Sequence, residues 1–560
     1  MRKAMIGQSD FKKIRQADAY YVDKSHFIEE IIQCPYLTIL LTRPRRFGKT
    51  LNLSMLYHFL EKRDSDESSL FDELAIKESD IFQAHLSKYP VIFLTFKDIK
   101  NKSFDGSLQK IGHLIHDAIQ QHRYLLDWND LSPVASNVFD RIINQTADQY
   151  HYESSIQELS KELEKYHGKP VVILTDEYDT PIHAAYINGY YEDMVGFMRN
   201  LLSGAYKDNS SLHKGVITGT LRLSKESIFT GLNNLGVFTL LDEEFNTCFG
   251  FTPQETKQIL DDYHLSSHHD DIHQWYDGYN FGDKTILNPW SVMSFVARKK
   301  KVFKPYWINT ASMDMIEEVL TPGNQSLRDE LYDLINDKTI IKPIYENMLF
   351  QDVTDRKSEL LWSFLLHSGY LKTIQEVESS FVQKYQLKIP NYEVKTIYSA
   401  LIDKWIRHHV DLRQLEILLE ALKKGDIKLF EQKLQSICLE IMSFHDFAGN
   451  PESVYHALVL GMLVWLADDY EIRSNRESGY GRYDMMFRPK DIKKQGIIIE
   501  FKVIDRNDDT DKVLNDALNQ IEKKQYATEL KVVGVIDILN IAVGFCGKDV
   551  YLRHSYLGAL

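Results

Sequence analysis

At 560 residues the chain is about three times the common domain size, which points to two to four domains rather than one core. Its 44% apolar and 26% charged residues, with only 14 prolines, exclude global disorder and fibrous repeats. Its 66 basic and 80 acidic side chains give a net charge of −14, so the whole molecule has no long-range attraction for nucleic acid; any such site must be a local basic cleft.

No apolar stretch approaches the roughly 18 residues a membrane helix needs, and the first residues lack the apolar core of a signal peptide. A cytoplasmic protein with no membrane partner is expected. Cys34, Cys248, Cys438 and Cys546 are scattered without C-x-x-C spacing, which argues against a disulfide framework and a cysteine zinc site.

The first long stretch alternates apolar runs with helical periodicity, the pattern of an α/β unit with a parallel sheet. Strands are expected at about 36–41, 91–96, 171–174 and 215–219, each nearly all apolar, as in strands covered on both faces. From about 256 to 430 helical periodicity dominates; the apolar patch 362–366, then 370–371 and the strand-like 387–390, fit a small winged-helix module. Beyond about 430 a helix near 450–467 precedes strands near 470–475, 482–488 and 496–504, and a helix near 511–528 precedes strands at 532–536 and 541–545. The expected class is α/β, divided into 1–255, 256–430 and 431–560.

Directly after the first strand comes Arg43-Pro44-Arg45-Arg46-Phe47-Gly48-Lys49-Thr50, then Leu51, Met55, Leu56, Phe59 and Leu60 at helical spacing. In a G-x-x-x-x-G-K-[ST] loop, backbone N–H groups and the helix N-terminus hold phosphates, the lysine reaches the β and γ oxygens, and the hydroxyl ligates Mg2+. Gly48, Lys49 and Thr50 fit those roles. Arg43 replaces the leading glycine and Pro44 has no N–H, so part of the anion cradle is lost; Arg43, Arg45 and Arg46 are the candidates to restore positive charge. The competing reading is a chance tripeptide in a basic turn, against which the strand, loop and helix order argues.

The run 171–179 is an apolar strand ending in Asp176, Glu177 and Asp179. In a P-loop nucleoside triphosphatase such a strand lies beside the phosphate loop, its aspartate holds Mg2+ through water and the next glutamate polarises the attacking water. Asp176 and Glu177 take those roles here, with a solvated acidic turn as the alternative; Asp179 stays open. Thr218 ends another apolar strand, where a hydroxyl can sense the γ-phosphate, and a plain strand-end turn fits equally well.

Near the C-terminus, Ile497, Ile499, Phe501 and Val503 share one strand face while Glu500 and Lys502 share the other. With Asp484 on the neighbouring strand, this geometry suits phosphodiester hydrolysis: Asp484 and Glu500 bind Mg2+, and Lys502 orients or deprotonates water. A solvated edge strand is the alternative. Arg488, Lys490, Lys493 and Lys494 lie between the two strands and could meet phosphates, although a solvated turn is the preferred reading. His264, His268, His269 and His273 read as helix-surface groups, although His269 and His273 have zinc-ligand spacing. Trp275, Tyr276, Tyr279 and Phe281 are expected to pack a core. No serine or cysteine nucleophile motif is present.

Phe11 through Tyr21-Val22-Asp23-Lys24, the loop from Arg43 to Thr50, Asp176 to Asp179, Ser224-Lys225 and Ser227-Ile228-Phe229 together resemble the AAA-ATPase-like proteins of bacteria that carry a C-terminal PD-(D/E)XK nuclease domain. Trp275-Tyr276-Asp277-Gly278-Tyr279 and Asn288-Pro289-Trp290-Ser291 belong to the same pattern, and the Asp484, Glu500, Lys502 spacing resembles the nuclease fold. The resemblance implies that the arginine-rich loop is a usual form, that Glu452 is an additional metal-side carboxylate and that Gln520 supports the site, although Gln520 by itself reads as an exposed helical residue. It also implies ATP, Mg2+ or Mn2+ at the nuclease site, cleavage of nucleic acid with DNA expected, and a role in genome defence or mobile-element biology. A homo-oligomer is expected by analogy with other P-loop ATPases. Two alternatives stay open: a nucleotide-binding switch whose nuclease fold binds nucleic acid or protein without cutting, and an ATP-independent nuclease.

Overall fold

The computed structural model describes residues 2–207, 209–222, 228–229, 234–307, 330–331, 333–335, 337–346, 358–377, 382–409, 412–442, 466, 469–474, 477–478, 481–505, 507–547 and 549–557. Glu452, Ser224, Lys225, Ser227 and nearly all of the helix expected near 450–467 lie outside the described residues. The chain falls into two compact units, Met1–Val319 with Ile341–Val394, and Leu320–Ile340 with Lys395–Leu560.

In the first unit β1 (Thr38–Thr42), β2 (Val91–Thr95), β3 (Val171–Asp176), β4 (Leu212–Gly219) and β5 (Leu235–Phe238) form a wholly parallel sheet in the order β2-β3-β4-β1-β5. Every position of β1 and β3 is buried, as their unbroken apolar runs require. The register sets Thr42 beside Gly219 and Thr95 beside Asp176, so the carboxyl ends of four strands come level and present their polar residues together. β4 lies between β3 and the loop-bearing strand β1, and Asp176 at the end of β3 still reaches Thr50 beside the loop. Sequence reasoning also missed β5, a four-residue strand interrupted by Gly236.

Helices dominate the next stretch. Pro253–Asp262, His269–Tyr276 and Pro289–Ala297 pack Ile259, Leu260, Ile272, Tyr276, Val292 and Phe295 into one core. Tyr276, Tyr279 and Phe281 are buried, as their expected packing role demands. The hairpin of β6 (Tyr279–Phe281) and β7 (Lys284–Ile286) lies between the second and third of these helices. Helix Ser358–His367 then leads into a three-stranded sheet of β8 (Ile340–Pro343), β9 (Lys372–Val377) and β10 (Lys384–Lys388), ordered β8-β10-β9.

The second unit holds β11 (Tyr470–Ser474), a short pair of β12 (Glu477–Ser478) and β13 (Gly481–Arg482), then β14 (Met485–Pro489), β15 (Gly496–Val503), β16 (Ile538–Cys546) and β17 (Asp549–Leu557). Its five-stranded sheet runs β11-β14-β15-β16-β17, parallel only between β15 and β16. Alternation along β15 divides two cores: Ile497, Ile499 and Phe501 pack with Leu415, Leu418 and Leu422, while Ile498 packs with Ile521, Tyr526 and Leu530. Helices Leu412–Lys423 and Ile427–Met442, the second of which runs through residue 430, both contribute to the first of these. The edge strand β17 is blunted, because Gln435 and Glu431 side chains accept from the Val550 and Leu552 amides at 2.7 and 2.9 Å. The α/β class, with an N-terminal parallel sheet, a helical middle and a C-terminal mixed sheet, is thus borne out.

Two local expectations fail. Residues 532–536 are not a strand: helix Thr528–Val532 ends there, Gly534 turns at φ +89°, and Val532 and Ile536 are exposed. An apolar run interrupted by a left-handed glycine makes a turn and not a ladder. β17 was missed because its charged and aromatic residues carry no clean alternation.

Candidate functional sites

Gly48 caps helix Lys49–Leu60 at φ +92°, a left-handed conformation natural to glycine, and it aims the first amides of a twelve-residue helix at the loop. Asp176, at the end of β3, gathers three hydroxyls. Thr50 donates to its Oδ2 at 2.8 Å, Thr218 to its Oδ1 at 2.7 Å and Thr95 to its Oδ2 at 3.3 Å. The loop helix and the ends of β2, β3 and β4 therefore meet at one buried carboxylate. Burial and the adjacent Glu177 charge raise its pKa, opposed by the Thr218 and Thr50 hydroxyls and by Lys49. Thr95 was missed, yet it ends an apolar strand as Thr218 does, so the same strand-end rule would have found it.

Lys49 is almost wholly buried and donates to the Arg43 and Pro44 carbonyls at 2.8 and 3.0 Å. Burial lowers its pKa, and the carboxylates of Glu177, Asp179 and Asp176 oppose that shift. Glu177 turns at φ +51° and accepts from the Thr180 hydroxyl at 3.2 Å. It lines, with Arg45, Arg46, Gly48, Lys49 and Thr50, a cavity of about 440 Å³.

The Arg43 side chain is held by the protein's own backbone. Its guanidinium is fully buried and donates to the carbonyls of Thr42, Phe238, Glu244 and Phe245, at 2.9 to 3.4 Å, between the Phe249 and Phe281 rings. Burial lowers its pKa to about 10. It ties the phosphate loop to the segment after β5; the glycine of the usual loop has given way to a structural tether. Asp179 is likewise structural, its carboxylate accepting from the Thr220 and Leu221 amides at 2.8 and 3.1 Å and so shaping the turn after β4.

In the second unit the Phe501 amide donates to Asp484 Oδ2 at 2.8 Å, which brings Asp484 against the strand segment carrying Glu500 and Lys502. Lys502 Nζ lies 3.1 Å from Glu500 Oε1 and 3.2 Å from Gln520 Oε1, and Gln520 Nε2 donates to Glu500 Oε1 at 2.6 Å and to the Tyr526 hydroxyl at 3.1 Å. Gln520 is thus part of the cluster and not an exposed helical residue. Helix Thr510–Lys523 turns it inward, which the amphipathic pattern of Leu514, Ala517 and Ile521 could have indicated. Glu500 Oε2 is buried with no hydrogen-bond partner among the described residues. Burial, and then the Asp484 charge, push the Glu500 carboxyl up to about 7. A buried, unpaired carboxylate oxygen beside a second carboxylate fits a hard divalent cation.

The flanking cations are solvated and paired: Arg488 with Glu471 at 3.5 Å and Lys494 with Asp469 at 3.0 Å. His273 pairs with Asp277 at 2.7 Å, which raises its pKa. Among the described residues the one cluster of three or more His, Cys, Asp or Glu side chains close enough to share a metal is His26, Glu30 and Cys248, with donor atoms within 4.8 Å. Each member already has a partner: Cys248 donates to Glu30 at 3.2 Å, the Phe245 amide donates to Glu30 at 2.9 Å, and His26 Nε2 lies 3.3 Å from the Thr247 hydroxyl.

Residues 5–229 match the family model described as a predicted AAA-ATPase, and residues 450–555 match that of the PD-(D/E)XK nuclease superfamily. Over 548 residues the chain is 25% identical to a protein of Azotobacter chroococcum mcd 1 described as an uncharacterized protein in the vnfD 5′ region, covering 95% of this chain and 94% of the relative. Among solved structures, a Walker-type ATPase of Pyrococcus abyssi is similar over 67% of this chain and 94% of its own, at 13% identity and a TM-score of 0.34. No helix among the described residues is long and apolar enough to cross a membrane. The two family matches bear out the expected architecture, an AAA-ATPase-like segment followed by a segment of the PD-(D/E)XK nuclease superfamily.

Proposed function

We propose that the chain binds and hydrolyses ATP at the Gly48 to Thr50 loop, and that its C-terminal segment is a metal-dependent nuclease acting on nucleic acid, DNA foremost. The observation that supports the second part most is the unpaired, buried Oε2 of Glu500, set among Asp484, Lys502 and Gln520. Asp484 and Glu500 would hold Mg2+ or Mn2+, with Glu452 as the third carboxylate that the family resemblance supplies. The cation, when bound, would polarise the phosphodiester and offset charge on it. Lys502, held between Glu500 and Gln520, orients the attacking water or takes its proton.

At the nucleotide site Thr50 and Asp176 would hold Mg2+, Lys49 would face the phosphates, Arg46 would line the nucleotide cavity, Glu177 would polarise water, and Thr218 links the end of β4 to Asp176. With boundaries at about residues 255 and 430, nucleotide chemistry would belong to the first segment and phosphodiester chemistry to the third. Purified protein incubated with plasmid, single-stranded DNA and RNA, with Mg2+ or Mn2+, tests the nuclease reading. Cleavage by wild type that Asp484→Ala lacks supports it, and equal cleavage by both removes it.

A further inference from the structure

The cavity at the phosphate loop extends well past the groups that would meet phosphate. At about 440 Å³ it is the size of a site for a whole small molecule and not for an anion alone. Besides the loop, its lining includes the apolar and aromatic residues Ile6, Gly7, Tyr20, Trp290 and Met293.

Trp290 is fixed in place. The Asn288 side chain accepts from the Trp290 and Ser291 amides at 2.9 and 3.3 Å, which caps helix Pro289–Ala297, and the indole Nε1 donates to the Tyr306 carbonyl at 3.2 Å. With its polar edge committed, the indole has only its faces to offer a ligand. Gly7, at φ +81°, brings the N-terminal segment against the ring edge: a Cβ there would lie 3.7 Å from the nearest indole carbon. The Arg46 guanidinium lies 4.1 Å over the ring. Arg46 belongs to the phosphate loop, where its φ is +70°, so a single side chain joins that loop to the indole.

We propose that Trp290 and Arg46 form the stacking platform for the base of the nucleoside triphosphate whose phosphates occupy the Gly48 to Thr50 loop. The proposal rests on the nucleotide-binding reading and extends it. An indole plane and a guanidinium plane are the two protein surfaces best suited to a base's π-face, and the phosphate loop lines the same cavity.

The test compares ATP with inorganic tripolyphosphate, which carries the phosphates without the base, each competing against a fluorescent ATP analogue on the full chain with Mg2+. Wild type binds ATP at least about tenfold more tightly than tripolyphosphate. Trp290→Leu and Arg46→Gln lower that preference, Trp290→Phe restores it, and tripolyphosphate affinity in Trp290→Leu stays within about twofold of wild type, which also reports an intact fold. Equal ATP and tripolyphosphate affinities in wild type, or an unchanged ATP preference in Arg46→Gln and Trp290→Leu, overturn the platform. Lys49→Ala separates this outcome from failure of the nucleotide reading: it weakens both ligands if the loop holds phosphate, and neither if the loop does not.

Discussion

The Lys49 ammonium lies 2.8 Å from the carbonyl of Arg43, in the very loop the lysine is expected to serve. The bond satisfies a buried cation, and a phosphate entering the loop offers the amine a stronger, charged acceptor in its place. Lys49→Ala is therefore expected to lose ATP affinity by at least about tenfold, the scale of one charge-assisted bond. Glu177→Gln is expected to bind ATP as wild type does and to hydrolyse it at least about 100-fold more slowly. Labelled-ATP binding and phosphate release measure the two effects; wild-type affinity in Lys49→Ala would remove Gly48 to Thr50 as the phosphate site.

Arg43 makes a separate prediction, because its guanidinium bonds carbonyls and not the cavity. Arg43→Ala leaves buried acceptors of Phe238 and Phe245 unpaired, which costs about 3 kcal/mol of stability. A lower thermal midpoint is expected in Arg43→Ala, whereas Arg45→Ala keeps the midpoint and weakens nucleotide binding. The reverse pattern would make Arg43 a phosphate contact.

The residues that could be read from the sequence were those whose roles follow from local pattern. Gly48, Lys49 and Thr50 follow an apolar strand, Asp176 ends another, and period-two alternation placed Glu500 and Lys502 on one face of β15. What could not be read depended on distant partners. The burial of Arg43 requires carbonyls about 200 residues away, and the inward turn of Gln520 requires Glu500 and Tyr526. The place of β4 between β3 and β1 is a matter of topology that no local window carries.

Glu393 gives a pH dependence outside both sites. It is fully buried, accepts from the Ser291 hydroxyl and the Trp307 amide, each at 2.7 Å, and burial pushes its carboxyl up to about 7. The unfolded chain releases this proton near pH 4.5, so the folded state binds more protons between there and pH 7, and stability falls as pH rises through that window. The loss is about 3 kcal/mol and complete above pH 7. Thermal midpoints taken from pH 5 to 8 are expected to decline less in Glu393→Gln than in wild type; parallel declines would show that the carboxyl ionises without cost.

At the carboxylate cluster, Asp484→Ala removes the acceptor of the Phe501 amide, a bond worth about 1 kcal/mol. It is expected to abolish Mn2+ binding by calorimetry together with cleavage. Lys502→Ala keeps Mn2+ binding and slows cleavage by at least about 100-fold. Gln520→Ala, which frees Lys502 from its amide partner, lowers the cleavage rate more than it lowers metal affinity. Wild-type rates in Asp484→Ala and Lys502→Ala would remove the nuclease assignment.

The proposed function puts nucleotide binding and phosphodiester cleavage in one chain, and its expected consequence is that the first governs the second, through a two-state arrangement or through assembly into a homo-oligomer. Plasmid cleavage by wild type and Lys49→Ala, each with and without ATP and Mg2+ and each weighed by mass photometry, tests it most directly. ATP is expected to raise the mass of wild type and to change its cleavage rate by about tenfold, a coupling of roughly 1.4 kcal/mol, while Lys49→Ala shows neither response. Unchanged mass with equal cleavage in all four conditions, or no cleavage in any, would contradict the account.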